Sequence, residues 1–230
     1  MNFAVPKVRA SLMTVIGLLM SVSAMAVDND DPTLFIDANY GFATYKSKLV
    51  ESNDLGSELR YGIGGNAGED HQFGFRVVSQ TDTTSFALNE SKIATTWEDS
   101  EFRYQWGYVS LGLLISRIGL QASREGTEVI DVSGSGYGGS LGLTAPIGRS
   151  GTYYLDVQSA TASAFHNTLD EEVTSATRMD IDTGARFRLT KNLMSLIVGY
   201  KQRTASYKTD ASYAEAVYTT YLGLRFAFFF

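Results

Sequence analysis

The stretch that most constrains this chain is Tyr221-Leu222-Gly223-Leu224-Arg225-Phe226-Ala227-Phe228-Phe229-Phe230. Leu222, Leu224, Phe226, Phe228 and Phe230 recur with a period of two, which puts one continuous apolar stripe on one face of a strand. A soluble sheet would have to bury that stripe, and an apolar terminus left in water is an aggregation hazard. A strand whose outer face meets lipid has no such difficulty.

The other end of the sequence agrees with export. Lys7 and Arg9 precede an apolar run from Ala10 to Leu19, followed by small residues and Ala24-Met25-Ala26. That order is expected of a secretory signal peptide spanning residues 1–26, which leaves a single mature domain over 27–230. The alternative is a membrane anchor, but the unbroken apolar run is shorter than the ~20 residues a spanning helix needs. Loss of Lys7 and Arg9 with no acid would take the formal charge from −6 to −8. An acidic balance argues against a nucleic-acid partner. The chain has no cysteine, so it has no disulfide, thiolate metal site or cysteine-linked lipid. No cofactor is expected. Mean hydropathy is near neutral at −0.07, as it should be if alternate residues face lipid and lumen.

Alternation recurs along the chain. Leu34, Ile36, Ala38, Tyr40 and Phe42 oppose Asp37 and Asn39; Leu59, Tyr61 and Ile63 oppose Glu58 and Arg60; Phe73, Phe75 and Val77 oppose Gly74 and Arg76. Further strands are expected around Phe102 to Tyr108, Tyr137 to Ala145, Tyr153 to Gln158, Met179 to Arg188, Met194 to Arg203 and from Ala214 onward. Turns are expected at Gly65-Asn66-Ala67-Gly68, Pro146 to Gly151 and Thr190-Lys191-Asn192, and polar outer loops at Ser47 to Asp54, Ala87 to Asp99, Glu125 to Ser133, His166 to Thr177 and Ser206 to Ser212. Val109 to Leu120 is apolar at nearly every position. A reversal is placed there near Leu111 to Leu114, followed by a strand with Ile118, Leu120 and Ala122 outward and Arg117, Gln121 and Ser123 inward. The total is ten strands, or eight if that region is handled differently and two weak strands are lost.

With its final aromatic and its alternating apolar residues, the terminal strand resembles the carboxyl-terminal signal of bacterial outer-membrane β-barrels. The resemblance implies an all-β, antiparallel, up-and-down transmembrane barrel in the outer membrane, in contact with the bilayer and its lipopolysaccharide. It also implies an assembly signal at Leu224, Phe226, Phe228 and Phe230 that is read by barrel-assembly machinery. Tyr40, Tyr61, Phe73, Phe102, Tyr104, Trp106, Tyr153, Phe187, Tyr200, Tyr218 and Phe226 then become interfacial girdles rather than a soluble core. The competing fold is a secreted sandwich or lipocalin-like barrel.

In a barrel the inward positions hold Asp37, Glu58, Arg60, Arg76, Glu101, Arg103, Arg117, Asp156, Asp180, Asp182, Arg186, Arg188, Lys201, Arg203 and Arg225. These charges would either line a path for small solutes or ions, or form a cross-strand network that fills a narrow lumen. Gly136, Gly138, Ser140, Gly142 and Thr144 leave one inner face nearly bare, the expected place for an open lumen. Only His71 and His166 could serve a histidine-dependent chemistry. His166 with Asp170, Glu171 and Glu172 could act as a general base or loose metal group, or be a solvated loop. The chain reads as non-enzymatic, either a porin-like pore or a structural membrane component, with an adhesin acting through acidic loops as the alternative and an enzyme ranked behind both. The assembly role of the terminal strand predicts that deleting Phe230 lowers the amount of membrane-inserted, heat-modifiable protein severalfold; normal levels on a gel of outer-membrane extracts would contradict it.

Overall fold

A computed structural model describes residues 33–47, 55–69, 73–88, 91–124, 127–148, 150–167, 173–190, 193–208 and 213–229. The expected signal peptide, His71 and Phe230 lie outside them. Ten strands follow one another: β1 (Thr33–Ser47), β2 (Leu55–Glu69), β3 (Phe73–Leu88), β4 (Ser91–Trp106), β5 (Val109–Arg124), β6 (Thr127–Ile147), β7 (Gly151–Asn167), β8 (Ser175–Arg188), β9 (Met194–Lys208) and β10 (Tyr213–Phe229). Each pairs antiparallel with its sequence neighbours, and β1 closes on β10 from Thr33↔Phe229 to Ser47↔Glu215. The chain is therefore a ten-stranded up-and-down barrel. Closure leaves no unpaired sheet edge, the condition for a sheet to lie in lipid.

Alternation assigns the two faces. Leu34, Ile36, Tyr40 and Phe42 on β1, Leu59, Tyr61 and Ile63 on β2, Leu111, Leu113 and Ile115 on β5, and Leu222, Leu224, Phe226 and Phe228 on β10 all project outward and are exposed. Trp106, at 70 % exposure, sits at the rim where β4 turns. These side chains form the apolar belt of a membrane barrel, and it surrounds the end at which β1 begins and β10 finishes, the periplasmic end in this architecture.

The strands run to between 14 and 21 residues, against the ~9–11 that cross a bilayer. Their far ends extend beyond the belt, and there the polarity inverts. On β3, Ser79, Thr81, Thr83 and Ser85 point outward while Asp82, Thr84 and Phe86 point in and are buried. Trp97, Ile118, Leu120, Val132, Val173 and Tyr207 pack a core inside this part of the barrel, and Ala43, Tyr45, Phe86 and Val217 pack a second one. A register shift opposite Ser135 and Gly136 turns Phe165 onto the first core.

Several expectations are corrected. The β4–β5 reversal lies at Gly107-Tyr108, not at Leu111 to Leu114, because Gly107 adopts a φ of 58°, a left-handed conformation available at little cost to glycine. Moving the turn by a few residues exchanges the faces of β5: Arg117 is exposed outside, whereas Ile118 and Leu120 are buried inside. Tyr108 belongs to that turn rather than to the strand expected over Phe102 to Tyr108. Gly65 to Gly68 is paired strand, opposite Val77 to Gly74, and not a turn. The span expected as a loop at Ala87 to Asp99 is largely β4, paired from Ala87↔Lys92 to Asp82↔Trp97. β6 starts at Thr127, inside the expected Glu125 to Ser133 loop, β7 runs to Asn167, and β9 continues to Lys208.

The corrected register makes a direct prediction. Ile118→Asp should lower the temperature at which folded barrel converts to its unfolded gel mobility by many degrees, whereas Arg117→Ala should leave it almost unchanged, within about 0.5 kcal/mol of stability. The reverse order would restore the opposite facing of β5.

Candidate functional site: the charged lumen

The inner face of a ten-stranded barrel is narrow, and alternate residues of every strand converge on it. Asp82, displayed inward by β3, sits at the middle. It meets the Lys201 ammonium in a short contact, Arg203 Nη2 at 2.8 Å and Arg60 Nε at 3.9 Å. Arg203 also donates to Asp180 from Nε at 3.0 Å and from Nη2 at 3.2 Å. Lys201 lies 3.8 Å from both Asp180 and Glu58, and Glu58 accepts from Thr219 at 2.7 Å. Above these, Arg178 contacts Asp99 at 2.9 Å and lies over the Trp97 ring at 4.4 Å. Ser116 donates to the same Asp99 at 2.6 Å. Asp82, Asp180 and Arg178 are 1 % exposed, Arg203 2 % and Lys201 3 %, so these charges have left water and have only one another as counter-charges.

Three smaller groups lie toward the periplasmic end. Arg60 pairs with Asp182 and stacks at 4.3 Å on Tyr221, whose hydroxyl donates to Asp182 at 2.5 Å and bonds to the Tyr154 hydroxyl. Arg103 donates to Glu101 at 3.0 and 2.8 Å and to Asp156 at 2.5 Å, and Glu101 also accepts from Ser140. Near the termini Arg225 grips Asp37 through two bonds of 2.6 and 2.5 Å, its in-register neighbour on β1.

Of the charges expected inside, Asp37, Glu58, Arg60, Arg76, Glu101, Arg103, Asp156, Asp180, Asp182, Arg186, Arg188, Lys201, Arg203 and Arg225 lie on the inward register, and Arg117 does not. The sequence reading missed Asp82, Asp99 and Arg178, and placed Asp99 in the polar loop expected at Ala87 to Asp99. Extending the β3 alternation past Val77 would have found Asp82; the hydroxylated outer residues Ser79, Thr81 and Thr83 hid it by giving no apolar contrast. Glu215, which accepts from Tyr45 at 3.1 Å and Tyr207 at 2.9 Å, was missed as well.

The glycine face of β6 is not an opening. A Cβ on Gly142 would strike Asp156 Oδ1 at 2.5 Å and Arg103 Nη1 at 2.6 Å, and one on Gly138 would meet the Ala160 backbone at 2.8 Å. The bare positions make room for the Arg103 cluster and for close strand approach. Leu224, Phe226 and Phe228 project into the belt. The side chain of His166 lies outside the described residues.

No protein-family model matches the chain, and no curated protein matches it. Among solved structures it is similar to Neisserial surface protein A, at 13% identity over 84% of this chain and 96% of that one with a TM-score of 0.42. It is similar to the translocator domain of the autotransporter NalP from Neisseria meningitidis, at 13% identity over 94% and 96% with a TM-score of 0.47, and to the outer membrane protease OmpT from Escherichia coli, at 9% over 90% and 100% with a TM-score of 0.43. The chain's own closure, even strand number, antiparallel register and apolar belt make it a bacterial outer-membrane β-barrel.

If Asp82 is the common counter-ion, removing it strands Lys201 and Arg203 beside each other. Asp82→Asn should cost about 3–5 kcal/mol, read as a lower urea midpoint of Trp fluorescence in micelles. Asp82→Asn with Lys201→Met should recover part of the loss; strictly additive losses would contradict the coupling.

Proposed function

We propose that this chain is a sealed, non-enzymatic structural barrel of the outer membrane that presents a rigid extracellular end, rather than an open porin-like pore. One observation carries the reading: the lumen is occupied across its width by paired side chains, with Trp97, Arg178, Arg203, Tyr207, Asp82 and Asp180 all below 2 % exposure or close to it. A hydrated path for solutes needs polar groups that contact water, and these contact each other. The lumen carboxylates of this network are each held by arginine or lysine, an arrangement suited to fixing ten strands in register rather than to activating a water molecule.

The surface-interaction reading is favoured by one further feature. The strands continue past the belt as a wall with Thr83, Ser85, Lys92, Gln121 and Thr161 outside and an apolar core inside, which is a stiff platform for whatever the outer connections contact. Structural and surface roles are compatible with a closed lumen.

Planar-bilayer recording separates these readings from a pore. Folded, heat-modifiable protein is expected to insert without steady unitary conductance. Reproducible ohmic channels from the same preparation would overturn the sealed reading and restore the porin-like one.

A further inference from the structure

The lumen is sealed above but not below. At the periplasmic end Arg76 on β3, Thr152 and Tyr154 on β7, and Arg186 and Arg188 on β8 are only partly buried, whereas inward residues farther along the same strands, Asp82, Ala160 and Asp180, are fully buried. This vestibule is cationic, and its acids are already spent. Asp37 is held at both oxygens by Arg225, and Glu101 and Asp156 are held by Arg103.

Arg76 and Arg186 have no hydrogen bond or ion pair among the described residues. Arg76 Nε is buried without a partner, and its guanidinium lies 5.2 Å from the centre of the Phe35 ring, which Arg225 also covers at 4.0 Å. Arg76 on β3 and Arg186 on β8 project inward from facing walls of the ten-strand ring at this end, and Arg225 shares the Phe35 ring with Arg76. Like charges gathered in a half-buried space are unfavourable unless an opposite charge joins them.

We propose that the periplasmic vestibule is an oxyanion site, in which a ligand of the phosphate or carboxylate class bridges Arg76 and Arg186. Guanidinium groups present planar forks of N–H donors matched to such oxygens, and bonds to a charged acceptor are the strong ones. An anion placed there turns a repulsive pair into two attractive contacts and gives Arg76 Nε the acceptor it lacks. Because the Arg103 and Asp82 groups close the lumen above, the anion enters and leaves by the same mouth. The site retains rather than conducts, and it goes beyond the sealed-barrel reading without requiring a conductance. The oxygens have two possible sources, a free oxyanion or the chain's own Asp28, Asp30 and Asp31, which stand a few positions before Thr33 in the sequence.

The test is calorimetric titration of inorganic phosphate into the barrel purified from membranes, at constant ionic strength set with chloride. If the site takes a free anion, binding is saturable with one site, and Arg186→Gln weakens it about tenfold or more while gel heat-modifiability is kept. If the chain's own carboxylates fill it, phosphate binding appears or tightens only in the Asp28→Asn, Asp30→Asn, Asp31→Asn variant and is again lost with Arg186→Gln. No phosphate binding in either background, or binding that survives both Arg186→Gln and Arg76→Gln, would overturn the proposal.

Discussion

Everything inside this barrel depends on keeping Asp82 neutralised. A ring of ten strands brings side chains from opposite walls within reach of each other, and a charge held there at 1 % exposure cannot be left alone, since the desolvation cost runs to several kcal/mol per ion. Lys201, Arg203 and Arg60 come to it from β9 and β2, and Asp180 from β8 shares the first two cations. The bonds tie non-adjacent walls together, which main-chain pairing cannot do. Hydrogen bonds between neighbouring strands close the cylinder; the network holds its cross-section.

The same constraint explains why the barrel changes character along its axis. Within the belt, lipid takes the apolar side chains outside and leaves the charged ones within. Beyond the belt, water replaces lipid, so the inner face is the remaining place for Trp97, Ile118, Leu120 and Tyr207. The two regimes overlap on β5, where Leu113 and Ile115 face out and Leu114 and Ile118 face in.

That overlap marks the limit of what was legible in the sequence. The closing strand, the belt residues of β1, β2 and β10, and the inward parity of Arg60, Arg103, Asp156 and Lys201 follow from period-two contrast alone. The contrast disappears where both faces are apolar, as at Val109 to Leu120, or both polar, as at Ser79 to Ser85. There the reversal is fixed by the left-handed backbone of Gly107 and not by any change in polarity, and what buries Asp82 and Asp99 is their cross-barrel partners, distant in sequence. The glycines of β6 mislead for a related reason: an empty position on one strand is space for a side chain from another, here Arg103.

The central claim, a lumen filled by its own side chains, can be tested at Thr219, which is 0 % exposed and bonded to Glu58. The chain contains no cysteine, so Thr219→Cys would carry the only thiol. In membranes or folded in micelles it should resist a small charged thiol reagent added to both sides, and react fully once the barrel is unfolded. Rapid modification of the folded protein would show water reaching the centre of the barrel and would contradict the account.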